Sequence, residues 1–141
     1  MQQMKKVFLD TNILLDAILK RSKGQDAMTL MQAGLNGEIE LCVSVISYPT
    51  IAYILRAETK ETIYKILETF SESITILPTD STMFKAALKA QADDFEDMLQ
   101  YQTAIAYNCD ALITNNIKDF PNTSTIKIQT AKDFLVEFDN N

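Results

Sequence analysis

In the stretch from Lys6 to Asp16, Lys-Val-Phe-Leu-Asp-Thr-Asn-Ile-Leu-Leu-Asp, the apolar period changes from 2 to 3.6 at Asp10. Val7, Phe8 and Leu9 are too few for a helix and read as a buried strand, whereas Ile13, Leu14, Ala17 and Ile18 recur at helical spacing. Asp10 is then the last residue of the strand. Ligands of open α/β sheets collect where strands end at their carboxyl side, which makes Asp10 a candidate site residue. The alternative is that Thr11 or Asn12 caps the helix and Asp10 favours its positive end.

The rest of the chain repeats this alternation. Lys20 to Gln25 reads as a polar turn, Ala27, Leu30, Met31 and Leu35 form the stripe of a second helix, and Asn36-Gly37 signals its end. Leu41 to Ser44 is the next strand, reached after about thirty residues, the long crossover that a parallel pair requires. A helix enters at Ser47 and Pro49 and runs to Arg56, another spans Thr62 to Phe70, and the β-branched run Ile74 to Leu77 is a third strand. Pro78 to Ser81 supplies turn and cap chemistry for a helix through Leu88, which breaks between Gln91 and Asp94. The following helix carries Phe95, Met98, Leu99, Gln102, Ile105 and Ala106 along one face. Ala111 to Thr114 is a fourth strand, Asn115 to Asn122 a polar loop, Thr125 to Ile128 a fifth strand, and Thr130 to Phe138 a last helix. This order predicts an α/β fold, a three-layer α/β/α sandwich with a central parallel sheet of about five strands, as a single domain over residues 1–141.

The net charge of −6 argues against a protein that grips nucleic acid by charge alone. Two routes to phosphate remain: a local basic cluster such as Lys20-Arg21-Ser22-Lys23, or cations held by a group of carboxylates. No stretch approaches the roughly 18 apolar residues of a membrane span, so a cytoplasmic location is expected. Cys42 and Cys109 lie among apolar neighbours and read as buried free thiols, and the absence of histidine makes zinc chemistry remote. Tyr48, Tyr53, Tyr101 and Tyr107 read as half-buried packing rather than a base-stacking platform, and Asp16 as an exposed helix acid.

Polar groups close three of the strands: Asp10-Thr11-Asn12, Ser44 to Ser47, and Thr114-Asn115-Asn116 with Asp119 just beyond. Asp93-Asp94-Phe95-Glu96-Asp97 adds four carboxylates in five residues at a helix start. Asp93 with Glu96, or Asp94 with Asp97, can form a cap and N3 pair, but four like charges so close are better tolerated where a cation shares the space. Oxygen ligands alone suit a hard ion, Mg²⁺ or Mn²⁺. The matching reaction is phosphodiester hydrolysis by metal-activated water.

These residues carry a resemblance. Val7 to Asp16 resembles the opening motif of PIN domains, Phe95-Glu-Asp-Met-Leu-Gln100 resembles the third motif with Asp97 in the acidic place, and Ala111-Leu-Ile-Thr-Asn-Asn-Ile-Lys-Asp-Phe120 resembles the fourth. The resemblance implies a three-layer α/β/α fold, metal-dependent ribonuclease activity on RNA, and kinship with VapC-like toxins of bacterial toxin–antitoxin pairs, with an antitoxin protein as partner and a homodimer as assembly. It places Asp10, Asp97 and Asn116 as catalytic and metal-binding residues. Asp119 is a further metal candidate, and Asn12, Thr50, Glu96 and Thr114 take supporting positions. Two departures stand out. The second motif usually puts a glutamate on the helix after the second strand, where this chain has Thr50 as the nearest match, and Asn116 replaces an aspartate of the fourth. A nucleic-acid-binding or protein-interaction module with a weakened or lost metal site is therefore the alternative.

Overall fold

The computed structural model describes residues 4–122 and 125–140. Strand β1, Lys5–Leu9, lies at the centre of a five-stranded, all-parallel sheet in the order β3-β2-β1-β4-β5. Its neighbours are β2 (Ile39–Ser44) and β4 (Ala111–Ile113), with β3 (Thr75–Leu77) and β5 (Lys127–Gln129) at the edges. Val7 pairs with Leu41 on one side and Ala111 on the other. Val7, Phe8 and Leu9 are all buried, because both faces of the sheet are covered and neither alternate position meets water.

Successive strands are joined by helices: α1 (Thr11–Ile18) and α2 (Gly24–Leu35) after β1, α3 (Ser47–Ile54) and α4 (Lys60–Ser73) after β2, and α5 (Ser81–Ala90) and α6 (Phe95–Ala106) after β3. Helix α7 (Ala131–Asp139) follows β5. Val7 and Leu9 point into a core shared with Leu14 of α1, Leu30 of α2, Ile63 of α4 and Phe134 of α7. Phe8 and Leu112 point the other way, onto Ala104, Tyr101 and Ile105 of α6. After β1 the sheet grows outward through β2 to β3, and the chain then crosses back over the opposite face to begin β4 beside β1. The order of strands therefore reverses between β1 and β4, the place where an open sheet leaves a crevice at its carboxyl ends.

Several boundaries differ from those the sequence suggests. Asp10 stands one residue beyond β1, as the N-cap residue of α1, although its N–H still donates to the Ile113 carbonyl at 3.0 Å. Thr114 likewise lies just past β4 and donates its N–H to Gln129, which draws β5 to Lys127–Gln129 instead of Thr125 to Ile128. The polar loop after β4 holds a 3₁₀ turn at Ile117–Asp119 and a buried Phe120. Helix α4 starts earlier than its apolar stripe because the Thr59 hydroxyl accepts from the Thr62 N–H, and α3 stops at Ile54, where Arg56 Nη1 donates to the Tyr53 carbonyl. Gly37 closes the chain after α2 with φ of +75°, as Asn36-Gly37 predicts. Cys42 and Cys109 are buried free thiols, and no helix among the described residues is long and apolar enough to cross a membrane. Tyr48, Tyr101 and Tyr107 pack half-buried against the two cores, whereas Tyr53 is exposed beneath the Arg56 guanidinium, 4.1 Å from its ring centre.

Candidate active site

The crevice between β1 and β4 is lined from three directions. Asp10 enters from the end of β1, Thr114 from the end of β4, and Glu96 and Asp97 from the first turn of α6. Asp10 is only 1% exposed and Asp97 7%. The Thr114 hydroxyl donates to Asp10 Oδ2 at 2.9 Å and accepts the Asn116 N–H at 3.0 Å, so one hydroxyl both orients the carboxylate and shapes the loop beyond it. Asp94 caps α6 by accepting from the Asp97 N–H at 2.9 Å, the second of the two cap pairs open to the sequence.

Electrostatics sets these acids apart. Burial pushes the Asp97 carboxyl up to about 7, and the charges of Asp10, Asp94, Asp119 and Glu96 add to the effect. Burial also raises Asp10. There the Thr114 hydroxyl and the backbone N–H groups of Thr11 and Asn12 work against the rise, and Glu96 adds to it. Among the described residues the ion pairs are Arg21–Asp16 and Lys127–Glu137, and neither reaches Asp10 or Asp97. Two buried carboxylates thus repel each other without a side-chain cation to offset them. The lining is all oxygen, from carboxylates and hydroxyls, a donor set suited to a hard divalent ion.

Neither Thr11 nor Asn12 caps α1, as the bland reading of the opening stretch would have it. The Thr11 hydroxyl is shared with the Ser47 hydroxyl of α3 at 2.7 Å and accepts from Gln100 Nε2 of α6 at 2.9 Å, while Gln100 Oε1 accepts the Thr11 N–H at 3.3 Å. Asn12 is half-buried on the first turn. Glu96 is held on both oxygens, by the Thr50 hydroxyl and by Gln100 Nε2, each at 3.3 Å. Asp119 and the Asn116 side chain are exposed; Asp119 is near enough for its charge to act on Asp97, and Asn116 is tied in through its backbone.

Two expectations fail here. Asp16 is 4% exposed rather than a surface acid: Asn115 Nδ2 donates to its Oδ2 at 2.6 Å and Arg21 approaches Oδ1 at 3.5 Å, so it anchors the loop after β4 to α1. The inner side of α6 is also different. Phe95 and Ala106 are exposed, and the buried residues are Asp97, Met98, Gln100, Thr103 and Ala104. Polar side chains can lie inward because they satisfy one another, Gln100 with Thr11 and Thr103 with Thr79 at 2.7 Å. The sequence reading does not single out Gln100, and it takes Ser47 only as part of the polar group that closes β2. The signal for Gln100 was present in the spacing, since Asp97, Gln100 and Thr103 recur every third residue and so share one side of a helix.

Known proteins bear on this geometry. No curated protein matches the sequence. Among solved structures, VapBC2 from Rickettsia felis bound to a DNA fragment from its promoter contains a chain similar at 22% identity, with 89% of this chain and 98% of that one covered and a TM-score of 0.67. A toxin–antitoxin complex from Klebsiella pneumoniae matches at 20% identity over 89% and 97%, TM-score 0.66, and VapBC-1 from nontypeable Haemophilus influenzae at 20% over 90% and 98%, also 0.66. At these identities the likeness establishes the fold. The sequence model of the PIN domain matches residues 6–118, a span that holds Asp10, Thr50, Glu96, Asp97, Thr114 and Asn116 together. With Asp10, Glu96, Asp97 and Thr114, the residues that line the crevice, all inside that span, the chain belongs to the PIN domain family.

Proposed function

We propose that this protein is a divalent-metal-dependent endoribonuclease and the toxin of a toxin–antitoxin pair. The observation that carries the reading is the meeting of Asp10 and Asp97, both buried, both raised, and without a Lys or Arg partner among the described residues. That arrangement is unfavourable alone and is relieved by a cation. Among the described residues no three acidic, cysteine or histidine side chains form a cage for an ion. Mg²⁺ and Mn²⁺ need no such cage, because they keep several waters and bind through one or two carboxylates with substrate phosphate. The residues therefore fit such an ion: Asp10 and Asp97 would hold it, with Asn116 as a neutral oxygen ligand and Asp119 beside it. When bound, the ion lowers the pKa of water for attack on phosphorus and stabilises the charge that builds there. Thr114 keeps the Asp10 carboxylate aimed at the crevice, and Asn12, Thr50 and Glu96 support the walls.

Likeness to chains crystallised in toxin–antitoxin complexes supports an antitoxin protein as partner, and the proposal includes a homodimer acting in the cytoplasm. The neutral Thr50 on α3 favours the second reading, a binding module of the same fold with a weakened metal site. Purified protein incubated with RNA and Mn²⁺ separates the two. The nuclease reading expects cleavage that chelation abolishes and that Asp10→Asn and Asp97→Asn each remove. RNA binding without cleavage at millimolar Mn²⁺ would establish the module instead.

A further inference from the structure

A glutamate in the first turn of a helix ordinarily points to water and does no more than favour the positive end of the helix. Glu96 does something else. It is half-buried, and each of its oxygens accepts from a neutral donor, Thr50 Oγ1 on one and Gln100 Nε2 on the other. Gln100 is clipped twice to Thr11, and the single Thr50 hydroxyl proton is shared between Glu96 and the Ile46 carbonyl, each 3.3 Å away. Thr50 is the nearest match on α3 to the acid that the family resemblance implies for the second motif. The missing carboxylate and the extra one therefore face each other across a single hydrogen bond.

We propose that Glu96 supplies from α6 the negative charge that the second motif would supply from α3, with Thr50 and Gln100 orienting it for a divalent cation held by Asp10 and Asp97. A carboxylate offers about four acceptor sites, and the two donors occupy two of them. The remaining two are available to hydrogen-bond the water shell of the ion, so Glu96 acts without direct ligation, consistent with the lack of a three-residue cage among the described residues. Its charge reaches both Asp10 and Asp97. Neutral donors suit this role because, unlike Lys or Arg, they fix the carboxylate without cancelling its charge.

This inference rests on the metal-dependent reading above, and one set of variants distinguishes the failure of each. Mn²⁺ affinity by calorimetry, and the Mn²⁺-induced rise in Tm, are measured for the wild type, Asp10→Asn, Glu96→Gln, and the exchange Thr50→Glu with Glu96→Gln. Glu96→Gln is expected to weaken Mn²⁺ binding about tenfold, in the range found for groups that support metal ligands indirectly. The exchange returns the acid to α3 and is expected to recover the affinity to within about threefold, well inside that tenfold loss. If Glu96→Gln leaves Mn²⁺ affinity unchanged while Asp10→Asn abolishes it, Glu96 is only a helix acid bonded to Thr50. If Glu96→Gln weakens binding and the exchange does not restore it, the equivalence of the two positions is wrong. Loss of any effect from Asp10→Asn overturns the metal site itself. The metal-free Tm of each variant identifies any that fail to fold.

Discussion

Asp97 receives the charge of four other carboxylates, and a pH dependence follows from that. Its carboxyl titrates near 7 in the folded chain against an ordinary value of 3.8, so between those limits the folded state holds a proton that the unfolded state has released. Stability is therefore highest below about pH 4 for this group and is lost as the pH rises through 7. Each unit of displacement is worth about 1.4 kcal/mol, and with the strain shared among several acids a loss of about 1–3 kcal/mol is expected. Urea unfolding in chelator at pH 5 and pH 8 measures it, with Asp97→Asn flattening the difference and Mn²⁺ removing it. A stability that does not change across that window in the metal-free protein would show that the acids are not crowded. At this scale the positions of Asp10 beside a strand end and of Asp97 in the first turn of a helix were legible in the sequence, because strand ends and helix starts are local features. It concealed Asp16, whose burial depends on Asn115, far along the chain.

Helix α6 shows why elements are harder to read than their ends. Its apolar stripe suggested one inner face, but the helix lies against α1, α3 and the turn after β3, whose hydroxyls offer partners, so Gln100 and Thr103 went inward and Phe95 went out to pack edge-on against Phe84. Pairing that spans 89 residues is not visible to a periodicity. Gln100→Leu is expected to destabilise the chain by about 1–3 kcal/mol, since it leaves the buried Thr11 N–H without its acceptor and the Thr11 hydroxyl with Ser47 as its remaining partner. Chemical denaturation measures this. Gln100→Glu in place of Leu should weaken the fold more at neutral pH than at pH 5, because it adds another acid to a crowded crevice. The alternation of strands and helices was legible throughout because the sheet is buried on both faces, whereas β5 moved by about two residues because its register follows hydrogen bonds from Thr114 and not its own composition.

The whole molecule carries six more negative than positive charges, so on the proposed nuclease reading RNA must be drawn to it by something other than overall charge. At physiological salt of about 0.15 M, metal-free protein is expected to bind a short single-stranded RNA too weakly for a binding isotherm, and Mn²⁺ to bring binding into range. Fluorescence anisotropy with and without Mn²⁺ tests this, and tight metal-free binding would point instead to a basic track such as Lys20, Arg21 and Lys23. The position of β1 has a further consequence, in time. This strand precedes β2 and β4 in the chain, yet one of its edges is covered only when β4 arrives about a hundred residues later, and the Asp10 carboxylate gains its Thr114 hydroxyl at the same moment. On the proposed nuclease reading, a nascent chain that has not yet reached β4 consequently has no finished crevice with which to cut the RNA it is being read from.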